Sequence, residues 1–377
     1  MPLNANELLL ALEGKGRMPL RARLTSALRD SVRAGQLPPG ARMPSSRVLA
    51  SDLGVSRGVV LEAYAQLAAE GFLRSRPGSA TTVAVVPGIP RRDVMESGRH
   101  GRAIDSALDL RPGAPDLSSF PRRQWLTAMR RTLSTLPAAA LGYAEPWGVP
   151  GLRQELADYL SRVRGAMVTA ESLVAVTGAT QGVSLLAQLL VRHGQDAIAV
   201  EDPSNAIQQR LLSDMGLRVV GVPVDEHGLR VDLLVGTAAR AVLVTPAHQY
   251  PTGAILSAER REQLVMWARA VDGLVIEDDY DSEFRYGERP IGCLQSLDPN
   301  HVAMIGSISK SLAPALRIGW VASPPALVAA LRRAKSHADF GSASLDQYVL
   351  ADFLASGEYD RNLRALRRRY GQRRDQF

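Results

Sequence analysis

The sequence predicts two domains of different fold class: a small α+β domain at the N-terminus and a larger α/β domain with a mainly parallel sheet. The chain has 377 residues, 46% of them apolar, which is enough to bury more than one core. Residues 17–84 are basic and show short helical patterns separated by turns, whereas strand and helix patterns alternate from residue 109 onward. Residues 85–108 show neither period. We therefore predict domains at 1–84 and 109–377 with a linker between them.

In the first domain, two helices are expected on either side of a glycine turn. Pro44-Ser45-Ser46-Arg47 opens a short helix behind two candidate Ser caps, Gly54 ends it, and Ser56 caps a longer second helix. This arrangement is typical of the helix-turn-helix, whose second helix enters the major groove of DNA. We expect Arg57, at the start of that helix, to contact base edges, and Arg47 to contact phosphate.

A wing is expected after the second helix. Residues 74–84 form two short extended runs around Pro77-Gly78, which suits a β-hairpin carrying Arg74 and Arg76. The alternative is a small helical hairpin with solvated arginines. Residues 1–84 carry eleven Lys and Arg against six Asp and Glu, a net charge of +5, which favours double-stranded DNA as the partner.

A second basic segment lies at residues 360–377, with seven Arg against two Asp. Leu363, Leu366 and Tyr370 fall at helical spacing, so an amphipathic helix with its arginines on the solvent-exposed face explains the pattern. A role in DNA binding stays open for this segment.

Six apolar strands are predicted in the second domain. Helical patterns separate several of them, as at Thr180–Val191 and Ala258–Ala270, which favours a parallel sheet buried on both faces. The strands are expected at Leu173–Val176, Ala197–Val200, Leu217–Val222, Ala241–Val244, Leu274–Glu277 and His301–Ile305.

Lys310 is the most informative residue of this domain. The chain holds only three lysines, and this one lies between Ser309 and Ser311 in a loop of small residues, seven positions before Arg317. An amine among hydroxyls with a nearby guanidinium suits a Schiff base to an aldehyde cofactor that also carries a phosphate. The pattern predicts pyridoxal 5′-phosphate.

Three other segments fit the same cofactor, each with a simpler alternative. Thr177-Gly178 follows a strand and opens a helix, which suits a phosphate, although such junctions are common. Asp278 and Tyr280 lie two apart on a strand, so both can address one ligand, with the carboxylate at the pyridine nitrogen and the phenol at the ring hydroxyl; a solvated acidic turn is the alternative. His248, in a loop after another strand, is a candidate to pack near the ring or a residue of a structural turn.

Composition also excludes several classes of site. A single cysteine, Cys293, rules out an internal disulfide and a cysteine-cluster zinc site, and the six His residues show no metal-ligand spacing. No metal is therefore expected. No segment approaches the length that spans a bilayer, so we expect a cytoplasmic protein.

Both halves resemble known families. Residues 37–64 resemble the winged-helix domain of GntR-type regulators in Leu37-Pro-Pro-Gly40 and Leu53-Gly-Val-Ser-Arg57, although Gly58 and Ala80 depart from the usual pattern. The second domain resembles the fold-type-I aminotransferases, and more closely the aminotransferase-like domain of the MocR branch of GntR regulators. The motifs that carry this resemblance include Arg111-Pro-Gly-Ala-Pro-Asp116, Glu201-Asp-Pro203, His248-Gln-Tyr-Pro-Thr-Gly253, Glu277-Asp-Asp-Tyr-Asp-Ser-Glu-Phe284 and Ser309-Lys310.

The resemblance implies a role for each site residue. Lys310 would be the aldimine lysine, Asp278 would bind the pyridine nitrogen and Tyr280 the ring hydroxyl, while Ala179, Thr180, Ser307 and Arg317 would surround the phosphate. Ser309, next to the lysine, is also expected among the cofactor-binding residues. It also implies a head-to-tail homodimer in which Tyr143 reaches the neighbouring site.

Two departures limit these roles. Asn205 stands in Pro203-Ser-Asn205 where the family often has Pro-Gly-Tyr, and can hydrogen-bond where the aromatic contact is lost. The sequence ends at Phe377, inside the helix that leads into the small domain of the family, so the arginine that binds an amino-acid carboxylate is expected to be missing.

The combined pattern predicts a transcription regulator. Pyridoxal phosphate, or an amino compound that reacts with it by aldimine exchange at Lys310, would alter DNA binding. The alternative is a pyridoxal-phosphate-dependent aminotransferase with an accessory DNA-binding domain. The cofactor motifs do not separate the two, but the helix-turn-helix favours the regulator.

Overall fold

The computed structural model describes residues 19–33, 36–74, 80–84, 113–285 and 291–376. The chain divides into two compact units, Met1–Asp109 and Leu110–Phe377. The predicted linker, residues 85–108, lies outside the described residues.

The first unit is a winged helix-turn-helix, as the sequence predicts. Its two short strands pair antiparallel, with Leu73 opposite Val83 and Arg74 opposite Thr82. The tip of the wing, residues 75–79, is outside the described part of the chain. The elements are α1 Leu20–Arg33, α2 Ser46–Asp52, α3 Arg57–Ala69, β1 Leu73–Arg74 and β2 Thr82–Val83.

Serine caps and one glycine set the turn between α2 and α3. The hydroxyl of Ser45 accepts the amide N–H of Val48, and the hydroxyl of Ser56 accepts that of Val59, so each helix begins where a polar side chain satisfies a free donor. Gly54 follows α2 with φ of +62°, a conformation that favours glycine.

Leucines and small residues of α1, α2 and α3 form the core of this unit. Leu24, Leu49, Val60 and Leu67 are buried in it, which determines the faces of α2 and α3 that are left exposed.

The second unit holds eight helices and eight strands in its described residues. The helices are α4 Arg122–Thr135, α5 Pro150–Arg164, α6 Ala179–Arg192, α7 Ala206–Asp214, α8 Ala258–Ala270, α9 Pro325–Asp339, α10 Ser344–Ala355 and α11 Glu358–Gln376, with short 3-10 helices at Leu117–Ser119, Ala138–Leu141, Val231–Gly236, Ser282–Phe284 and Pro314–Leu316. The strands are β3 Leu173–Val176, β4 Ala197–Asp202, β5 Arg218–Asp225, β6 Gly228–Leu229, β7 Ala241–Val244, β8 Leu274–Asp279, β9 Val302–Ser307 and β10 Gly319–Ala322.

These strands form one sheet in the order β3-β10-β9-β8-β7-β4-β5-β6. The central strands β9, β8, β7, β4 and β5 are parallel, which confirms the predicted sheet type. Strand β10 is antiparallel to both β9 and β3 and was not predicted. The sheet is buried on both faces, since Leu173 packs into one cluster and its neighbour Val174 into another.

The basic C-terminal segment is an amphipathic helix, α11. Leu363 and Leu366 are buried, as the spacing predicts, and the ring of Tyr370 packs 5.2 Å from that of Phe284. The hydroxyl of Tyr370 accepts the amide N–H of Asp116, whose carboxylate also pairs with two arginines of the helix. This helix is therefore anchored to the segment that follows Gly113.

Candidate functional site: a cavity at the carboxyl ends of the parallel strands

A cavity of about 430 Å³ lies where the central strands end. The carboxyl ends of parallel strands are the usual ligand side of an α/β sheet. Nine of the eleven predicted cofactor residues line this cavity: Ala179, Thr180, Asn205, Asp278, Tyr280, Ser307, Ser309, Lys310 and Arg317.

Strand β8 delivers the carboxylate of Asp278 to the cavity. Its neighbours face the other way, because successive side chains of a strand alternate: Glu277 accepts the amide N–H groups of Leu294 and Gln295, and Asp279 pairs with Arg164. Asp278 is 7% exposed, and burial raises the pKa of its carboxyl to about 6.

One oxygen of Asp278 has no hydrogen-bond partner among the described residues. Gln208 Nε2 donates to Asp278 Oδ2 at 2.7 Å, whereas Oδ1 is buried without a hydrogen bond. A buried carboxylate oxygen left free costs free energy that a cationic N–H group would recover. The protonated nitrogen of a pyridine ring is such a donor.

Lys310 also lines the cavity, in the loop between β9 and β10. Its amine donates to the backbone carbonyl of Gly113. Ser307 is the last residue of β9, and its hydroxyl accepts the amide N–H of Ser309 in the loop at 3.4 Å. The amine is thus held at the cavity by a neutral backbone acceptor.

Arg317 and the start of α6 form the end that suits an anion. The Arg317 guanidinium donates to the carbonyl of Thr177, and α6 begins at Ala179 without a side-chain cap. A Cβ at Gly178 would lie 3.0 Å from Arg317 Nη2, and φ there is +102°, so glycine is required for this approach. Free N–H groups, the helix dipole and a guanidinium together fit a phosphate.

Tyr280 and His248 interact with each other at the edge of the cavity. The Tyr280 hydroxyl donates to the carbonyl of His248 at 3.0 Å, and the two rings are stacked 6.2 Å apart. His248 Nδ1 lies 2.7 Å from Asp281 Oδ2, and that hydrogen bond raises the pKa of the imidazole. His248 itself does not line the cavity but contacts Tyr280, which does. Its place near a cofactor ring stays a prediction.

Tyr143 lies away from the cavity of its own chain. Its side chain is 94% exposed and meets Phe340 edge-on, with ring centroids 5.5 Å apart.

Asn205 lines the cavity and caps α7. Its side-chain oxygen accepts the amide N–H of Ile207 at 3.0 Å, so the residue that replaces the family's aromatic ring begins a helix. Three residues on, the same helix presents Gln208 to Asp278. Sequence reasoning missed Gln208, although the i, i+3 spacing from Asn205 could have indicated it.

Glu201 is a second buried carboxyl of the cavity, which the sequence indicates only as part of the motif Glu201-Asp-Pro203. Its Oε2 accepts hydrogen bonds from the amide and hydroxyl of Thr245 and from Gln249. Burial raises the pKa of Glu201 to about 7. The residue ties the loop after β7 to the end of β4, which positions Tyr250 and Thr245 in the cavity wall.

On the helix-turn-helix, the predicted reading residues are exposed. Arg57 begins α3 directly after the cap Ser56, and its Nε donates to the hydroxyl of Ser46. Arg47 and Arg74 are solvent-exposed, and neither pairs with a carboxylate among the residues that the structure describes. Arg76 lies outside the described residues.

Two further kinds of feature are absent from the described residues. No helix in them is both long and apolar enough to cross a bilayer. No group of three or more His, Cys, Asp or Glu side chains in them could hold a metal ion.

Fold and cavity together define a helix-turn-helix regulator joined to an aminotransferase-like domain, and family models agree. Residues 20–83 match the bacterial regulatory proteins of the gntR family, and residues 108–377 match aminotransferase class I and II.

Several curated relatives share both parts. The pyridoxine biosynthesis transcriptional regulator PdxR of Corynebacterium glutamicum is 36% identical, across 98% of this chain and 80% of the relative. The probable rhizopine catabolism regulatory protein MocR of Rhizobium meliloti is 33% identical, across 98% and 78%. The chain belongs to the MocR-type transcription regulators of the GntR family.

Solved structures match the second unit. A multiple substrate aminotransferase from Thermococcus profundus has a TM-score of 0.64 and 27% identity, covering 70% of this chain and 68% of that one. The α-aminoadipate aminotransferase LysN from Thermus thermophilus, complexed with N-(5′-phosphopyridoxyl)-L-leucine, has a TM-score of 0.61 and 28% identity, covering 69% and 67%. The fold is therefore that of enzymes that bind pyridoxal phosphate.

Proposed function

We propose that this regulator binds pyridoxal 5′-phosphate at Lys310 and that the cofactor, or an amino compound exchanging with Lys310, alters its DNA binding. The observation that carries the proposal is the meeting of Lys310, Asp278 and Arg317 in one cavity. Two observations support the fit of this cofactor: the buried Asp278 Oδ1, which has no hydrogen-bond partner among the described residues, and the close approach of Gly178 to Arg317.

Each end of the cavity has a separate task. Asp278 would accept a hydrogen bond from the ring nitrogen and keep it protonated, and Gln208 would orient that carboxylate. Arg317 and the N–H groups at the start of α6 would hold the phosphate. Pyridoxal phosphate supplies an aldehyde that condenses reversibly with primary amines and a ring that withdraws electrons.

The amine of Lys310 offers a physical link to the rest of the chain. It donates to the carbonyl of Gly113, and Gly113 follows the predicted linker, residues 85–108, by only a few residues. With Lys310 bound to a cofactor aldehyde, that carbonyl would lose its donor; with the Lys310 amine free, the carbonyl would regain it. An effector that favours one of these two states shifts their populations.

The test combines absorbance with DNA binding. Wild-type protein should show a visible band on adding pyridoxal phosphate, and Lys310→Ala should lose it, because no other amine reaches the cavity among the described residues. Lys310→Arg keeps the charge and serves as the control, with no band expected. An unchanged band in both variants removes Lys310 from its role.

DNA binding separates regulator from enzyme. Fluorescence anisotropy on the DNA upstream of the gene should show a cofactor-dependent affinity in wild type and none in Lys310→Ala. Repeated turnover of amino donors and acceptors without any effect on DNA binding would instead establish an aminotransferase with an accessory domain.

We also propose a head-to-tail homodimer in which Tyr143 contacts the partner's site. Its support is the 94% exposure of an aromatic side chain that the cavity of its own chain does not use. A monomer by light scattering at micromolar concentration contradicts this part.

A further inference from the structure

A buried amine lies behind the anion end of the cavity and does not line it. Lys335, on α9, is 0% exposed. Its Nζ donates to Gln181 Oε1 at 2.9 Å, to Asp339 Oδ2 at 2.6 Å and to Ser342 Oγ at 2.7 Å. An ammonium has three N–H donors, and all three are used. The buried charge of Lys335 therefore has a hydrogen-bond acceptor for every donor. A buried charge is tolerated only under that condition.

Lysine is a rare residue in this chain, and position 335 is one of the few that carry it. Of the 45 Lys and Arg residues only three are Lys, and one of these is Lys335. The planar fork of an arginine cannot direct three donors from one point toward three converging acceptors, whereas a compact ammonium can.

Gln181 connects this amine to the cavity wall. Its Oε1 accepts the amide N–H of Thr177 at 2.8 Å as well as the Lys335 ammonium, and its Nε2 donates to Asp339 Oδ2 at 2.8 Å. The carbonyl of Thr177 in turn accepts the guanidinium of Arg317. Thr177 is therefore held by Gln181 at its nitrogen while it holds Arg317 at its oxygen.

Packing leaves little room for Thr177 and Gly178 to move alone. A Cβ at Gly178 would lie 3.0 Å from Arg317 Nη2, and a Cβ at Gly319 would lie 3.0 Å from Gly178 Cα. Because these backbones and the guanidinium are already in close contact, a shift of Thr177 is passed on to Arg317.

We propose that Lys335 is a positioning residue: through Gln181 it fixes Thr177 and the Arg317 guanidinium, and so sets how tightly the cavity holds a phosphate group. This inference rests on the proposed function, since the phosphate is that of the cofactor. It concerns only the anion end, because the Asp278 end shares no hydrogen bond with the Lys335 network among the described residues.

The test compares a phosphorylated ligand with its unphosphorylated form on the full chain. Dissociation constants for pyridoxal 5′-phosphate and for pyridoxal are measured by absorbance for wild type and Lys335→Met. The variant should bind pyridoxal phosphate roughly tenfold more weakly, the scale of one charge-assisted hydrogen bond. Pyridoxal affinity should stay within about twofold, since its aldehyde and ring use other residues.

Arg153→Met is the matched control. Arg153 is also a buried cation with three contacts, to the carbonyls of Gly148 and Ala170 and to Glu145, and none of them belongs to the Arg317 network. This variant should lower thermal stability and leave the ratio of the two dissociation constants as in wild type. The proposal is overturned if Lys335→Met has the same ratio of the two dissociation constants as wild type, as it would if the variant lost affinity equally for both ligands.

Gln181→Met keeps the proposal testable if Lys335→Met fails to fold, because Gln181 is partly exposed and uncharged. It should give the same selective loss for the phosphorylated ligand. In the double variant the losses should not add, since both changes break one chain of contacts; additive losses contradict the relay. Wild-type protein with no preference for the phosphorylated ligand contradicts the proposed function itself, whereas a wild-type preference with unchanged variants contradicts only the role of Lys335.

Discussion

Replacing Glu201 by Gln should change how the stability of the protein depends on pH. Burial raises the pKa of this carboxyl from its ordinary 4.5 to about 7, against the opposing hydrogen bonds of Thr245 and Gln249. Between pH 4.5 and about pH 7, the Glu201 carboxyl therefore keeps its proton in the folded protein and loses it in the unfolded chain. Stability from this group is therefore present at low pH and is lost as the pH rises through about 7.

The magnitude follows from that difference in proton affinity. Each tenfold change in proton affinity is worth about 1.4 kcal/mol, so ionising Glu201 in the folded state costs about 3 kcal/mol once the pH is well above 7. Part of the cost is already present at pH 5, where the unfolded carboxyl is mostly ionised. The free energy of unfolding should thus fall by about 2 to 3 kcal/mol between pH 5 and pH 8 on account of this residue.

Urea unfolding of cofactor-free protein at pH 5 and pH 8 measures the effect. Other raised groups, such as Asp278 and Glu283, act in the same direction in wild type. The informative quantity is therefore the difference between wild type and Glu201→Gln, which should grow in favour of the variant by about 2 to 3 kcal/mol from pH 5 to pH 8. A difference that is constant with pH would refute the buried, proton-binding state of Glu201.

Three further changes probe the two sites. Gly178→Ala should weaken binding of the cofactor phosphate in an absorbance titration and lower stability by about 1–2 kcal/mol, because its φ is +102° and its Cβ would crowd Arg317; wild-type affinity would contradict the need for glycine. Arg57→Ala should weaken specific DNA binding by about 1–3 kcal/mol in anisotropy while leaving cofactor absorbance unchanged. Gln208→Met removes a donor that lowers the pKa of Asp278, so cofactor affinity near pH 6 should drop below that of wild type and recover by pH 8.5; parallel pH curves would speak against that hydrogen bond.

Much of the sheet could be predicted because its strands are short apolar runs with clear ends. β3 and β7 begin and end at the predicted residues, and β8 extends only two residues further, through the carboxylates. Strand β10 was missed for a physical reason. It is four residues long, follows the Lys310 loop directly, and owes its place to antiparallel pairing with β3 and β9, which no local period reveals.

The site shows the same division between local and long-range signals. Lys310 and Asp278 carry chemistry that is unusual enough in its setting to be noticed in the sequence. Gln208 and Gln181 are ordinary polar residues of helices, and their importance comes from partners 70 and 154 positions away along the chain, at Asp278 and Lys335. Only the folded sheet brings such pairs together, so residues that orient the reactive groups escape sequence reasoning more easily than the groups themselves.

The distribution of partners in the cavity indicates which ligand it suits. Within the described part of the chain, Lys310 and Arg317 donate to backbone carbonyls and not to the cavity carboxylates, and Asp278 keeps one buried oxygen without a donor. A ligand that only neutralises the cations leaves that oxygen unsatisfied, and one that only supplies a cation leaves the anion end empty. To satisfy all of these groups, one rigid ligand needs a cationic N–H group at Asp278, a phosphate at Arg317 and an atom that reaches the amine of Lys310. A protonated pyridine ring with a phosphate arm would meet all three demands, which is why we propose that cofactor over a simple amino acid or a free anion.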